Sequence, residues 1–271
     1  MLLRISRGIL LAGFAVVILT PLLLVAATSL KPSAGFYADP LGLPSRLYTG
    51  NFRELFTGQP VWTYFRNSVA VTLSSVLLEL ALAGMIAFGI IRSGKRFGRG
   101  MYALFTVGMA IPAQVNMLPI YSLVQKLGLT NSLAGLVAVT VSLLLPLSVF
   151  MLAGFMRTLP KEILEAGSID GAGEWMLLLR ITVPLSAPYL AATAAFLFVI
   201  VWNDLLFPML LLSGKGKLTL PLAMLQFRGE FVANYTMLMT GVVVTTLPMI
   251  VVYVFLQKYF ISGALAGSLK G

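Results

Sequence analysis

Cysteine and histidine are both absent from the 271 residues, and charge is scarce: Asp, Glu, Lys and Arg make up 10% of the chain, against about 25% in an ordinary soluble domain. Without Cys there is neither a disulfide framework nor a thiolate metal site. Without His the commonest metal ligand and general base are missing, which excludes most enzyme chemistry. What the chain has instead is long apolar runs. Stretches 8–30, 100–125, 127–156, 181–203 and 231–257 carry no charge, and 67–91 carries only Glu79. Each exceeds the roughly 20 residues a helix needs to cross about 30 Å of hydrocarbon, so a polytopic membrane protein with six spans is predicted.

Backbone groups must be paired within lipid, and the runs are far longer than the roughly 10 residues of a barrel strand, so the fold class is all-α. A net charge of +10 would point to nucleic acid in a soluble protein. Here the cations lie between the spans, where they set orientation, and no nucleic-acid partner is expected. Arg4 and Arg7 precede span one, and Arg92, Lys95, Arg96 and Arg99 crowd between spans two and three, which predicts that both termini are cytoplasmic. The run at 8–30 is too long for a cleavable signal core of about 7–15 residues and reads as an uncleaved helix. Segment 31–66, with Pro32, Pro40, Pro44, Gly42 and Gly50, reads as an irregular external loop, with Trp62 and Tyr64 at the membrane interface. Pro112, Pro119, Pro146 and Pro248 fall in or at the ends of spans, where each removes a hydrogen bond and allows a bend.

Two glycine-lysine stretches resemble phosphate loops without being ones. Gly89 to Lys95 is followed by Arg96 where Ser or Thr should hold magnesium, and it leaves a membrane helix rather than a strand. Ser213 to Thr219 has the wrong spacing. No ATP site, catalytic residue or metal site is expected in this chain.

Segment 157–184 is the long cytoplasmic linker and the one richest in acids, with Glu162, Glu165, Asp170 and Glu174. Pro160 suits a first helical position, Glu162 complements the helix dipole, and Lys161 with Glu165 forms an i,i+4 pair. Ala166 and Gly167 leave a face small enough for close approach by another protein, and Gly171 offers a sharp exit. A docking helix follows. The alternative, a helix lying on the membrane surface, has only Ile163, Leu164 and Ile169 to insert, and its acids would face anionic lipid.

Glu165-Ala166-Gly167-Ser168-Ile169-Asp170-Gly171, then nine residues, then Ile181-Thr182-Val183-Pro184, resembles the Glu-Ala-Ala loop of ABC-importer permeases. The spacing is intact; Gly167 replaces the second Ala and Val183 a Leu. Ser29-Leu30-Lys31-Pro32, the stretch from Ile111-Pro112 to Leu127–Asn131, Trp202-Asn203-Asp204 and the tail from Lys258 to Gly271 are similar to the carbohydrate-uptake branch. Within it they resemble the second permease of maltose-type and glycerol-3-phosphate-type importers. The resemblance implies one permease domain over 1–271 with the MetI-like type I fold, in a bacterial or archaeal plasma (inner) membrane. It also implies a second permease, two ATPase subunits that carry the ATP and magnesium, an external solute-binding protein and a carbohydrate substrate. On the same resemblance Glu165, Ala166, Gly167, Ser168, Asp170 and Gly171 seat in an ATPase cleft, and Ser268, Lys270 and Gly271 reach the ATPase interface.

Polar residues inside the spans are the remaining candidates. Glu79 faces either a cavity or the partner permease, because intramembrane charge is costly. Gln114, Asn116, Trp202, Asn203 and Asp204 are candidates for the substrate path, with Trp202 stacking on a sugar face; the alternative for the last three is an interfacial aromatic beside a loop-capping Asp. A phosphorylated polyol would want a cationic site, and no Lys or Arg lies in the middle of a span. An ion-coupled secondary transporter would leave the docking loop unexplained and offers only Glu79 as a deep acid.

Overall fold

The computed structural model describes the backbone of residues 2–225 and 234–268, and the side chains of 6–225, 234–255 and 257. Every regular element among the described residues is helical, as lipid demands of a backbone that must pair with itself. In chain order the helices are α1 (Leu2–Ser29), α2 (Ser33–Ala38), α3 (Gly50–Gly58), α4 (Val61–Arg92), α5 (Lys95–Gly108), α6 (Met117–Lys126), α7 (Leu133–Met156) and α8 (Lys161–Ile169). They continue with α9 (Glu174–Met176), α10 (Val183–Leu185), α11 (Ala187–Trp202), α12 (Leu206–Leu211), α13 (Leu220–Met224) and α14 (Tyr235–Ser268). A 3-10 turn at Ala113–Asn116 precedes α6, and a π-helical turn at Leu177–Thr182 joins α9 to α10.

Helices α1, α4, α7 and α14 are each long and apolar enough to cross a bilayer. Spans three and five, single runs in the sequence, are broken: α5 with Ala113–Lys126 is bent by 82°, and Glu174–Leu185 with α11 by 76°. Counted as one span apiece, the bent pairs complete six crossings. Pro112 stands at the first break in an extended conformation, and Pro188 lies in the first turn of α11 just past the second. Proline lacks the N–H that would carry a helix through. The other intramembrane prolines do not break their elements. Pro119 sits in the first turn of α6, where no such bond is needed, and Pro146 and Pro248 lie inside continuous α7 and α14.

The chain divides into two compact units, Met1–Phe65 with Leu220–Met249, and Arg66–Thr219 with Ile250–Gly271. In the first, segment 31–66 is not the irregular loop expected. It holds α2 and α3 and opens α4, and buried Asn51 fastens it by donating to Ser29 O and Lys31 O, both at 2.8 Å. Lys31 Nζ in turn donates to Asp39 O at 2.7 Å. Tyr64 is buried and bonds to Gln59 Oε1 rather than sitting at an interface, whereas Trp62 is exposed.

In the second unit, α4, α7 and the 174–185 arm meet in a core of Ala83, Ala87, Val149, Leu152, Ala153, Met156 and Leu177. The alanines of α4 are one turn apart, and small residues at that spacing let helices approach closely where lipid supplies no hydrophobic drive. Gly135, in the first turn of α7, is fixed by a close approach: a Cβ there would lie 2.2 Å from Leu129 O. Ser132 caps α7, accepting from Gly135 N at 3.4 Å.

Candidate functional site

The sequence-predicted docking helix is α8. Pro160 is its N-cap, one position before the expected first turn, and Glu162 lies in the first turn, where the helix dipole favours an acid. Asp170 is the C-cap, and Gly171 follows at φ +83°, the left-handed conformation that ends a helix sharply and that glycine adopts without penalty. Leu164 and Gly167 are buried. A Cβ on Gly167 would come within 2.8 Å of Leu177 Cδ2 and 2.9 Å of Ile181 Cδ1. The small size of Gly167 therefore admits this chain's own π-helical turn and not another protein, which corrects the expectation from sequence. The outward face carries Glu162, Glu165, Ala166 and Asp170 with two apolar residues, Ile163 and the 86% exposed Ile169.

The ion pair that forms here is not the expected Lys161–Glu165. Arg92, the last residue of α4, holds Glu174 with Nε to Oε2 at 3.0 Å and Nη2 to Oε1 at 2.7 Å. The same Nη2 donates to Ser168 Oγ at 3.4 Å, and Ser168 Oγ donates to Leu164 O at 2.9 Å. One guanidinium thus joins the end of a membrane-crossing helix, the last turn of α8 and the start of the 174–185 arm. Sequence reading gave Arg92 only an orienting role. The available signal was that Arg92 and Glu174 carry opposite charge on the same predicted membrane face.

The intramembrane candidates are not brought together. Glu79 is 0% exposed, so it faces neither an open path nor a partner's surface. Neither carboxyl oxygen has a hydrogen-bond partner among the described residues. Ser148 of α7 lies beside it but donates to Leu144 O at 3.1 Å. Gln114 and Asn116 occupy the 3-10 turn at the first break, not the face of a straight span. Trp202 is 2% exposed and its ring stacks on Phe198 at 5.6 Å, so it offers no face to a sugar. Asn203 Nδ2 bonds to Val199 O at 2.8 Å, and Asp204 Oδ1 accepts from Leu206 N at 3.0 Å, capping α12. Trp202 and Asp204 share a cavity of about 10 Å³ with Thr72, Thr140 and Thr219, room for about one water and not for a sugar ring. Of the tail candidates, Ser268 ends α14, while Lys270 and Gly271 lie outside the described residues.

Comparison with known proteins places the fold and the family. The chain is 31% identical over 264 residues to the arabinooligosaccharides transport system permease protein AraQ of Halalkalibacterium halodurans, covering 96% of this chain and 94% of that one. It is 32% identical over 252 residues to the melibiose/raffinose/stachyose import permease protein MelC of Bacillus subtilis, covering 93% and 91%. Its fold matches a chain of a bacterial ABC transporter involved in the import of the acidic polysaccharide alginate, with a TM-score of 0.83 at 21% identity over 96% of each chain. Residues 79–264, which include α8 and both its anchors, match the family described as binding-protein-dependent transport system inner membrane component. The chain belongs to that family of multi-pass membrane permeases.

Proposed function

We propose that this chain is one of two permeases in an ATP-driven importer of a neutral carbohydrate, with α8 as the element through which ATPase subunits act on it. The substrate class rests on relatives named for oligosaccharide transport that align over nearly the whole chain. The absence of Lys and Arg from the middle of the spans supports a neutral substrate over a phosphorylated one. The chain itself performs no catalysis in this reading. ATP and magnesium belong to two partner ATPases, a solute-binding protein delivers the sugar from outside, and a homologous permease supplies the other half of the path. Both termini and α8 lie on the cytoplasmic side, the fifth crossing beginning at Glu174 and not at 181 as the sequence suggests, and 1–271 acts as a single permease domain.

The observation that carries the coupling role is the disposition of α8. Its inner face is locked to its own chain through Gly167, its last turn is tied to Arg92, and its outer face presents acids around the exposed Ile169. A helix held on one side and bare on the other can pass a partner's movement inward. Closure of two ATPases on ATP would then shift α8 and, through the 174–185 arm, the membrane-crossing α11, switching access from one side to the other. Glu165, Ala166, Ser168, Asp170 and Gly171 are the docking residues in this reading, with Gly167 as their internal seat.

The test is sugar-stimulated ATP hydrolysis and uptake by the reconstituted five-subunit complex carrying Glu165→Lys or Gly171→Pro. Glu165 is exposed, so its replacement leaves the fold intact, and both activities fall by about tenfold or more. Gly171→Pro forces a φ near −65° onto a +83° position and does the same. Wild-type transport by the assembled Glu165→Lys complex would remove α8 from the mechanism.

A further inference from the structure

We propose that a cavity beside the start of α8 binds the phosphate headgroup of an anionic membrane lipid. The cavity measures about 380 Å³, within the roughly 300–1,000 Å³ range of small-molecule sites. Its charged lining is of one sign: Lys95, Arg99, Arg157 and Lys161, with no acid among them. Among the described residues none of the four is in an ion pair. Arg157 is held in place by its guanidinium, 3.8 Å above the Tyr102 ring, which itself stacks on Phe150.

The remaining walls decide what kind of anion fits. Ile90 and Ile91 come from the last turn of α4, Met156 is the last residue of α7, and Leu159 and Leu164 close the side toward α8. The cations therefore stand where two membrane-crossing helices end, at headgroup depth, over an apolar floor. Gly98 lets α5 lean onto the end of α4, since a Cβ there would meet Ile90 O at 2.4 Å. From the cavity mouth α5 runs on with Phe97, Leu104 and Val107 exposed, an apolar face along which acyl chains can lie. Lys95 and Lys161 also open α5 and α8, and neither helix has a side-chain cap, so both positive dipole ends add to the field. A free phosphate would use the cations and leave the apolar walls wet. An amphiphile with one negative head satisfies both, as basic pockets between spans on the cytoplasmic side do.

Lipid binding here is independent of what the importer carries, so it stands or falls apart from the substrate reading. The probe is phosphatidylglycerol. The assembled complex is reconstituted in phosphatidylcholine discs with about a quarter phosphatidylglycerol, extracted, washed with detergent, and its retained lipid counted by mass spectrometry. Wild type retains phosphatidylglycerol in preference to phosphatidylcholine. Lys95→Gln with Arg99→Gln lowers that retention by about tenfold, Lys95→Arg with Arg99→Lys restores it, and Lys126→Gln with Lys217→Gln, an equal loss of charge elsewhere, leaves it unchanged. Assembly is followed by size exclusion, with the single variants as substitutes where the double variant does not assemble. Equal retention by the double variant overturns the proposal. So does displacement of the lipid by millimolar inorganic phosphate, which would make this a site for free anions. Loss of the ATPase subunits from the double variant with lipid retention intact would assign the cavity to an acidic segment of the ATPase instead.

Discussion

Helices α1 and α7 are both apolar enough to cross a bilayer, yet none of the span window of α1 is buried within the chain, against 44% of that of α7. Hydropathy reports the solvent in which a helix can exist and not what it touches. The difference between them lies in small residues and their neighbours. In α7, Gly135 is pressed against Leu129 O, and Leu152 and Ala153 are fully buried against α4. In α1, Gly8 and Gly13 have nothing within 4 Å of where a Cβ would stand. A membrane helix becomes part of a core where its surface lets another backbone in close.

Substituting the two glycines alike separates the helices most sharply. Gly135→Val drives a Cβ to 2.2 Å from a backbone carbonyl that cannot swing away, so most of the chain fails to fold. Gly13→Val meets open space and accumulates like wild type. The monodisperse fraction of a fluorescent fusion on size exclusion measures both. Loss of the partner subunits from the Gly13→Val importer, with the chain itself still monodisperse, would mean that the bare face of α1 is covered in the assembly.

A milder contrast comes from leucine truncation. Leu152→Ala opens a cavity in the α4–α7 core and costs about 2 kcal/mol. Leu11→Ala on the exposed face of α1 stays within about 0.5 kcal/mol, and thermal unfolding midpoints of the purified complex distinguish the two. A smaller loss than that at Leu152 is expected where α7's partner helix leaves the core. Arg92→Gln removes a pair whose Glu174 side is 60% exposed, so stability falls by only about 0–1 kcal/mol, and less at high salt. A larger fall at low salt, read from the same midpoints, would show that the clamp holds the 174–185 arm in place.

How legible these features were from sequence depends on range. The spans were legible because uncharged runs of bilayer length have one stable answer, and α8 because Pro160, Glu162 and Gly171 act within a single turn of themselves. The exit at Gly171 was visible since a left-handed position asks for glycine locally. Gly167 was misread because a small residue on a helix says only that something comes close, and its neighbours Leu177 and Ile181 are 10 and 14 positions on. Of four prolines flagged for bending, Pro112 alone sits at a break, since the consequence of a lost hydrogen bond depends on its place in the helix. Trp202 looked like an interfacial ring because the sequence ends its span there, whereas the fold stacks it on Phe198 one turn back. The clamp of Arg92 on Glu174 spans 82 positions, beyond any local pattern.

The corner in the fifth crossing has a mechanical meaning. Arm 174–185 meets α11 at 76°, so a push delivered along the arm's axis arrives at α11 almost wholly as a sideways stroke. The chain has built a bell crank. It turns motion along one arm through nearly a right angle, so that under the coupling proposed above a small travel at α8 would emerge as a lateral swing of α11.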